Sequence, residues 1–442
     1  MLVELTAIAS LGAWLYLFAG RGNFWQISIP PKAAQPPSAK SVCVIIPARN
    51  EESVVGEAIQ SLRPWPVILV DDHSSDRTAT VAAEAGAEVI QAGPLPPGWS
   101  GKLWAISEGL KHARSFAPDY FLFTDADIVH SPDNVAELIA RAETNGLDVV
   151  SLMVKLRCRS FAETLLIPAF VFFFFMLYPP AWVNRRDRRT AAAAGGCILI
   201  RPSALDRIGG IAAIHGAIID DCALARAVKR TGAHTPGAAN SRPELPNVRG
   251  ADTPGAATSR LESPNVPGAD TPGAANSRPE LPNVRGAHTP GSPEQMYAAT
   301  SPLESPNVPG AIWLGVTNDT VSIRDYNTFA EIRAMISRTA FAQLHHSALL
   351  LAGAILGMAI VYIAPPLLLF TGNPLAAICG LAAWALMSIA YSPTLRFYGR
   401  SILWAPLLPL IALFYVSATL DSALSYWTGR GGVWKDRVQD AK

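Results

Sequence analysis

The chain has 442 residues, with 36 Lys+Arg against 35 Asp+Glu for a net charge of +1, and it is 50% hydrophobic but only 16% charged. Soluble proteins carry about 25% charged residues, so the composition points to a membrane-attached enzyme, and the near-neutral balance lacks the basic footprint that nucleic acid requires of a partner. Five cysteines (Cys43, Cys158, Cys197, Cys222, Cys379) are odd in number and without metal-ligand spacing, which argues against a disulfide framework or a zinc site and fits a reducing cytosol.

Residues 2–19 (LVELTAIASLGAWLYLFA) are apolar with a single acid, and Arg21, Lys32 and Lys40 follow. A secretory signal carries its positive charge before the apolar stretch. Here it comes after, so residues 1–20 read as an N-terminal transmembrane anchor with the chain from residue 21 onward in the cytoplasm. From about 41 to 154, short apolar runs (VCVII, VILVD, EVIQ, YFLFT, VVSLMV) alternate with stretches of helical spacing (EESVVGEAIQSL, RTATVAAEAG, KLWAISEGLKHAR, SPDNVAELIARAE). Such alternation predicts a doubly wound α/β sheet, in which ligands sit beyond the carboxyl ends of the strands.

Residues 163–183 (ETLLIPAFVFFFFMLYPPAWV) are as apolar as a membrane span. A crossing there would separate residues that one site needs together, so an interfacial or re-entrant segment broken by Pro168, Pro179 and Pro180 is expected. Residues 234–311 repeat HTPGAANSRPELPNVRGA with a period of 18 and hold 14 of the 36 prolines. They read as a disordered Pro/Gly-rich insertion into a domain covering 41–233 that resumes at 312–345; the flanks AVKRTGA and AIWLGVT would join if the repeat were excised. Residues 346–426 turn apolar again and predict membrane helices, with a basic tail at 427–442. Two of their runs make a hairpin, and the third, containing Pro406 and Pro409, is expected to return the tail to the cytoplasm.

Acids stand where ligands are expected. VILV ends in Asp71-Asp72 and continues to Asp76, which suits a helix N-cap; Asp71 and Asp72 then remain to accept hydrogen bonds from a nucleobase or ribose. YFLFT ends in Asp125-Ala126-Asp127, two carboxylates at i, i+2 able to approach one Mg²⁺ or Mn²⁺ while leaving positions open for a diphosphate. Asp220-Asp221 open a helix, where the helix dipole favours acids and where a general base would also serve. Lys102, after a glycine turn, suits a diphosphate. Gly195-Gly196 permit close backbone approach to a ligand at a strand entry.

In order, PARNEE, VDDHSSD, GKLWA, TDAD, GGCILIR and IDDCALARAVKR resemble the inverting family 2 glycosyltransferases of GT-A fold. The resemblance implies that Pro47, Arg49, Asn50 and Glu51 line the nucleotide pocket, that Asp71 and Asp72 touch uracil or ribose, that Asp125 and Asp127 hold the metal and diphosphate, and that Asp221 or Asp220 is the base. With the anchor, SIRDYNTFAEIRAMISRTAFAQL and the multi-span C-terminus, the chain looks most like the hopanoid-biosynthesis-associated members. The Gln-x-x-Arg-Trp motif of processive synthases is missing, and Arg338 is only a loose substitute, which argues for transfer of one sugar. The implied protein is a multi-pass enzyme of a bacterial-type inner membrane that moves a sugar from a nucleotide-sugar donor, UDP-linked, to a membrane lipid hydroxyl, with Mn²⁺ or Mg²⁺ and a cytoplasmic catalytic domain. A polyprenyl-phosphate glycosyltransferase and a disabled membrane scaffold are the competing readings.

Overall fold

The computed structural model describes residues 1–32, 40–232 and 309–430, with the backbone of two short strands at 433–434 and 437–438. The N-terminal run forms α1 (Leu2–Leu15), extended by a wide turn over Tyr16–Gly20. The middle segment alternates as its periodicity demands: β1 (Val42–Ala48), α2 (Val55–Ser61), β2 (Val67–Asp71), α3 (Thr78–Ala85), β3 (Glu88–Gln91), α4 (Gly101–Ala113), β4 (Tyr120–Thr124), β5 (Ile128–Val129), α5 (Asn134–Asn145) and β6 (Val149–Lys155). Then come α6 (Phe161–Leu177), α7 (Pro180–Val183), β7 (Cys197–Ile200), α8 (Pro202–Ile208), α9 (Asp220–Gly232), β8 (Ile312–Ser322) and α10 (Phe329–Gln343). Helices α11 (Ala348–Met358), α12 (Ala364–Leu368), α13 (Pro374–Phe397) and α14 (Leu408–Trp427) follow.

Eight strands make one sheet in the order β3-β2-β1-β4-β7-β6-β8-β5. β3, β2, β1 and β4 are parallel, as the alternation predicts, while β7 runs antiparallel to both β4 and β6, so the sheet is mixed. Val42, Val44 and Ile46 pack with Val55, Ile59 and Leu138 on one face. Cys43 and Ile45 pack with Leu103, Ile106 and Leu110 on the other. Helices on both faces explain why these strands read as unbroken apolar runs. The chain order reverses between β1 and β4, which opens a crevice at their carboxyl ends. This is the α/β fold of GT-A type, and among the described residues five helices are long and apolar enough to cross a membrane: Leu2–Gly20, Phe161–Val183, Ala348–Leu368, Pro374–Phe397 and Ile402–Trp427.

The repeat expected at 234–311 lies, up to residue 308, outside the described residues. The chain before it meets the described end of the repeat: a Cβ placed on Gly232 would collide with the Pro309 carbonyl oxygen, and the Gly310 N–H donates to Asp148 at 2.6 Å.

Segment α6 leaves the sheet after β6 and the chain returns in β7, and these two strands are hydrogen-bonded neighbours. The helix runs through Pro168 rather than breaking there as the sequence suggested, and ends at Tyr178-Pro179. Leu166, Ile167 and Phe172, buried in the main core, supply more than the single backbone bond that the proline removes. Its first turn is a capping box of Ser160 and Glu163. The buried Glu163 carboxylate accepts from Arg157 at 2.7 Å and from the N–H groups of Arg159, Ser160 and Tyr326 at 2.7, 2.8 and 2.8 Å. It thereby ties α6 to the loop after β8. Glu163→Ala leaves four donors facing a void and is expected to destabilise the fold by about 3–5 kcal/mol, read as a lower melting temperature in detergent micelles. Arg159→Ala, whose contribution to this carboxylate is its N–H alone, is expected to change little.

The long apolar helices sort their ends. Asn373, capping α13, donates to Glu4 of α1 at 3.1 Å, and further along α1 the Trp14 indole donates to the Val361 carbonyl at 2.7 Å. At the opposite ends, Arg21 donates to the Met176 carbonyl at 3.0 Å, Lys155 lies 5.1 Å over the Phe397 ring, and Arg400 donates to the Cys158 carbonyl. Helix α14 packs along α10, where Arg333 pairs with Asp421 and Ser422 accepts from the Phe341 N–H at 3.0 Å.

Candidate active site

Two loops at the carboxyl ends of β1 and β2 are laced together. Asn50, at φ 52° in the left-handed region that asparagine tolerates, donates its N–H to Ser74 Oγ at 3.0 Å and accepts from the Ser75 N–H at 2.8 Å. Arg49 donates to the His73 carbonyl at 3.3 Å and lies 3.9 Å from the Asp72 carboxylate. The Asp71 carboxylate accepts from the Ser74 N–H at 3.3 Å, and Asp76 accepts from the Thr78 N–H at 3.0 Å, although the N-cap of α3 is Arg77, without a side-chain capping bond, and not Asp76 as the sequence suggested. Arg49, Asn50, Asp71 and Asp72 thus form one cluster, adjoining Glu51.

A second cluster surrounds the ends of β4 and β7. Ser100 caps α4 and Lys102 stands in its first turn. The Lys102 ammonium lies 2.9 Å from Asp125 and 3.3 Å from Asp220. Burial works to discharge it, and Asp125, Asp220 and Asp221 outweigh burial and hold its pKa above the ordinary lysine value. Asp221 accepts from the Gly195 N–H at 2.9 Å and the Cys222 N–H at 2.6 Å. Burial first, then the charge of Asp220, pushes its pKa up to about 6 against the pull of Lys102 and the two N–H groups. A Cβ on Gly195 would meet both Asp221 and Lys102 at 3.3 Å, so this glycine brings the backbone close to the two side chains. Gly196 is held by its carbonyl, which accepts from the Thr124 hydroxyl at 2.8 Å. That hydroxyl also contacts His130 at 2.9 Å, whose pKa burial lowers to about 4, so the network is uncharged at neutral pH.

The other carboxylate of the Asp125-Ala126-Asp127 turn faces a different cation. Asp127 accepts from the Ser322 hydroxyl at 2.6 Å and lies 3.5 Å from Arg324, which also pairs with Glu51 at 2.5 Å. Ser322 and Arg324 did not stand out in the sequence, although they lie within SIRDY. The sheet brings them in: β5 begins immediately after Asp127 and pairs with the end of β8, Ile128 opposite Ser322. Among the described residues no three His, Cys, Asp or Glu side chains are grouped to enclose a metal ion. Two carboxylates whose remaining positions are filled by diphosphate oxygens and water are the usual Mg²⁺ arrangement, and Asp125 and Asp127 fit that donor set.

One cavity of about 920 Å³ is lined by the second cluster together with Glu51, Asp127 and Arg324. At one end lie Pro47, Glu51, Lys102, Asp125, Asp127, Gly195, Gly196, Asp220, Asp221 and Arg324. At the other are Phe173 and Phe174 of α6, Met335 and Ile336 of α10, Ile355 and Met358 of α11, and Tyr415 of α14. Arg338 lines the same cavity. Arg49, Asn50, Asp71 and Asp72 are outside its lining.

Residues 43–209 match the family described as Glycosyl transferase family 2. Curated relatives include the 4,4'-diaponeurosporenoate glycosyltransferases of Staphylococcus aureus (strain bovine RF122 / ET3-1), 37% identical over 113 residues that cover 24% of this chain and 29% of the relative, and of Staphylococcus haemolyticus (strain JCSC1435), 35% identical over 120 residues covering 25% and 31%. The chain spans less than a third of the length of these relatives. Similar solved structures include a mannosyltransferase from Pyrobaculum calidifontis in complex with GDP-Man and Mn²⁺, with TM-score 0.43, 16% identity and coverage of 98% of this chain and 100% of that one. Another is Mycobacterium tuberculosis glucosyl-3-phosphoglycerate synthase, with TM-score 0.28, 22% identity and coverage of 40% and 64%. The segment that matches the Glycosyl transferase family 2 model is the one that carries β1 to α8, with the D-A-D turn and the glycine pair at its strand ends.

Proposed function

We propose that the protein transfers one sugar, with inversion, from a UDP-linked donor to the hydroxyl of a membrane lipid of the hopanoid class. The single observation that carries this reading is the continuous cavity, acidic at the strand ends and apolar among α6, α10, α11 and α14. A nucleotide-sugar alone needs no such apolar extension. The similarity to the staphylococcal 4,4'-diaponeurosporenoate glycosyltransferases supports an acceptor other than a protein or a nucleic acid.

In this reading α1, α11 with α12, and α13 cross the bilayer, with Glu4 and Asn373 at the far side and Arg21, Arg396 and Arg400 at the cytoplasmic face, where positive residues are retained. Helices α6, α10 and α14 lie at that face and form the apolar walls through which the lipid enters. The donor diphosphate lies against Lys102, with Asp125 and Asp127 holding Mn²⁺ or Mg²⁺, which when bound offsets charge on the leaving diphosphate. The Glu51 cluster and the laced loops of Asp71 and Asp72 take the nucleoside. Asp221 removes the acceptor hydroxyl proton as that oxygen bonds to the anomeric carbon, and the bond from that carbon to the diphosphate oxygen breaks on the opposite face. Lys102 keeps Asp220 ion-paired, which leaves Asp221, with its raised pKa, as the base.

The test is mass spectrometry of lipids after membranes containing the protein are incubated with a panel of UDP-sugars, Mn²⁺ and extracted hopanoids. A hexose- or hexosamine-sized increment on a hopanoid is the expected result. No increment on any lipid, with UDP still bound, would favour the disabled scaffold.

A further inference from the structure

We propose that Arg324 is an internal counter-cation that makes divalent-metal binding contingent on the donor: it holds Asp127 and Glu51 when no nucleotide is present and passes to the diphosphate when nucleotide and metal arrive together. The inference rests on the donor site proposed above and adds to it a role for a residue outside the family-matched segment.

Each carboxylate of the D-A-D turn is already engaged by a separate fixed cation. Asp125 is paired with Lys102 at 2.9 Å, and Asp127 with Arg324 at 3.5 Å. The guanidinium spans from Asp127 to Glu51 at 2.5 Å, so it bridges the metal-side carboxylate and the nucleotide-side loop across the mouth of the cavity. It cannot surrender its charge by deprotonation at any working pH. A divalent ion arriving alone must therefore compete with it for Asp127, whose Oδ2 also accepts from Ser322 at 2.6 Å.

A diphosphate changes the balance because it offers the planar guanidinium of Arg324 a more highly charged anion that can accept two parallel hydrogen bonds in exchange. The exchange needs no loop movement. The backbone is pinned on both sides of Arg324: the Ile323 N–H donates to the Asp127 carbonyl at 2.9 Å, and the Tyr326 N–H donates to the buried Glu163 at 2.8 Å. Rotation of one side chain transfers the positive charge from carboxylate to phosphate and frees Asp127 for the metal. The consequence is that the site does not load with metal and hold it idle, and that metal and nucleotide strengthen each other reciprocally.

The test measures Mn²⁺ binding by electron paramagnetic resonance, and UDP binding by calorimetry, on the full chain in detergent micelles. For the unsubstituted protein, saturating UDP is expected to tighten Mn²⁺ by about tenfold or more, within the usual span of such couplings. In Arg324→Gln, Mn²⁺ without UDP is expected to bind several-fold tighter, UDP several-fold weaker, and the coupling to fall toward one. Arg324→Lys keeps the cation and is expected to retain most of the coupling; it separates loss of charge from loss of fold, with melting temperatures checking both variants. Mn²⁺ binding in Arg324→Gln that is unchanged or weaker without UDP would overturn the counter-cation role while leaving the donor site intact. If the unsubstituted protein binds neither UDP nor GDP, the donor reading fails and this inference fails with it.

Discussion

Asp221→Asn is expected to lower lipid glycosylation by about 10²–10⁴-fold, the usual worth of a positioned general base, with UDP affinity nearly unchanged. The asparagine keeps the size of the side chain, and its carbonyl oxygen can still accept from one of the two N–H groups, of Gly195 and Cys222. It cannot take a proton from the acceptor. The same carboxyl should shape the pH profile. Burial and the neighbouring Asp220 raise its pKa to about 6, and the competent form is the carboxylate. Activity is therefore expected to rise with pH through about 6 and level off above it, a limb that kcat/KM measured from pH 5 to 8 would resolve and that Asp221→Asn would lack. Near-normal turnover in the variant would remove Asp221 from the mechanism. It would favour an acceptor that is already ionised, such as a polyprenyl phosphate.

Lys102→Met is expected to cost about 10²–10³-fold in kcat/KM, comparable to deleting one charge-stabilising donor at a leaving group. It also disturbs the cluster itself. Asp125, Asp220 and Asp221 converge on this ammonium, and without its pull Asp221, whose pKa burial and the charge of Asp220 already raise, holds its proton to still higher pH. The acid limb of the pH profile should move upward. Carboxyl groups whose folded-state pKa lies above the unfolded value stabilise the fold below the unfolded pKa and lose that contribution as pH rises through the folded one. The melting temperature of Lys102→Met should thus fall furthest below that of the unsubstituted protein near pH 8 and recover toward pH 5. Lys102→Arg should not rescue activity. Gly195 leaves little room, since even a Cβ there would lie 3.3 Å from the ammonium, and a guanidinium is broader and planar. An unshifted acid limb with full activity in Lys102→Met would show that the cluster does not depend on this cation.

Much of this site was legible one segment at a time. VILV and YFLFT are short apolar runs ending in acids, and a strand buried on both faces in a parallel sheet has few other ways to appear in a sequence. Placing Asp71, Asp72, Asp125 and Asp127 at strand ends required only that pattern. Asp220 and Asp221 at a helix start, and the glycine pair before β7, followed from equally local signals. The need for residues on both sides of 163–183 to share one site argued against a crossing, and the pairing of β6 with β7 gives that argument its geometry.

Other features depended on contacts between distant residues. Arg324 meets Asp127 because β5 pairs with β8, across nearly two hundred residues that include the repeat, and no periodicity near either residue encodes that register. The antiparallel insertion of β7, the unbroken course of α6 through Pro168, and the commitment of Arg49 and Asn50 to lacing two loops likewise arise from burial summed over several elements. Strands, helices and apolar spans could be assigned segment by segment, because hydrophobic periodicity and turn chemistry act between neighbours. Which charge faces which, and that the acidic strand ends share one cavity with apolar helix faces, follow from packing among segments far apart in the chain.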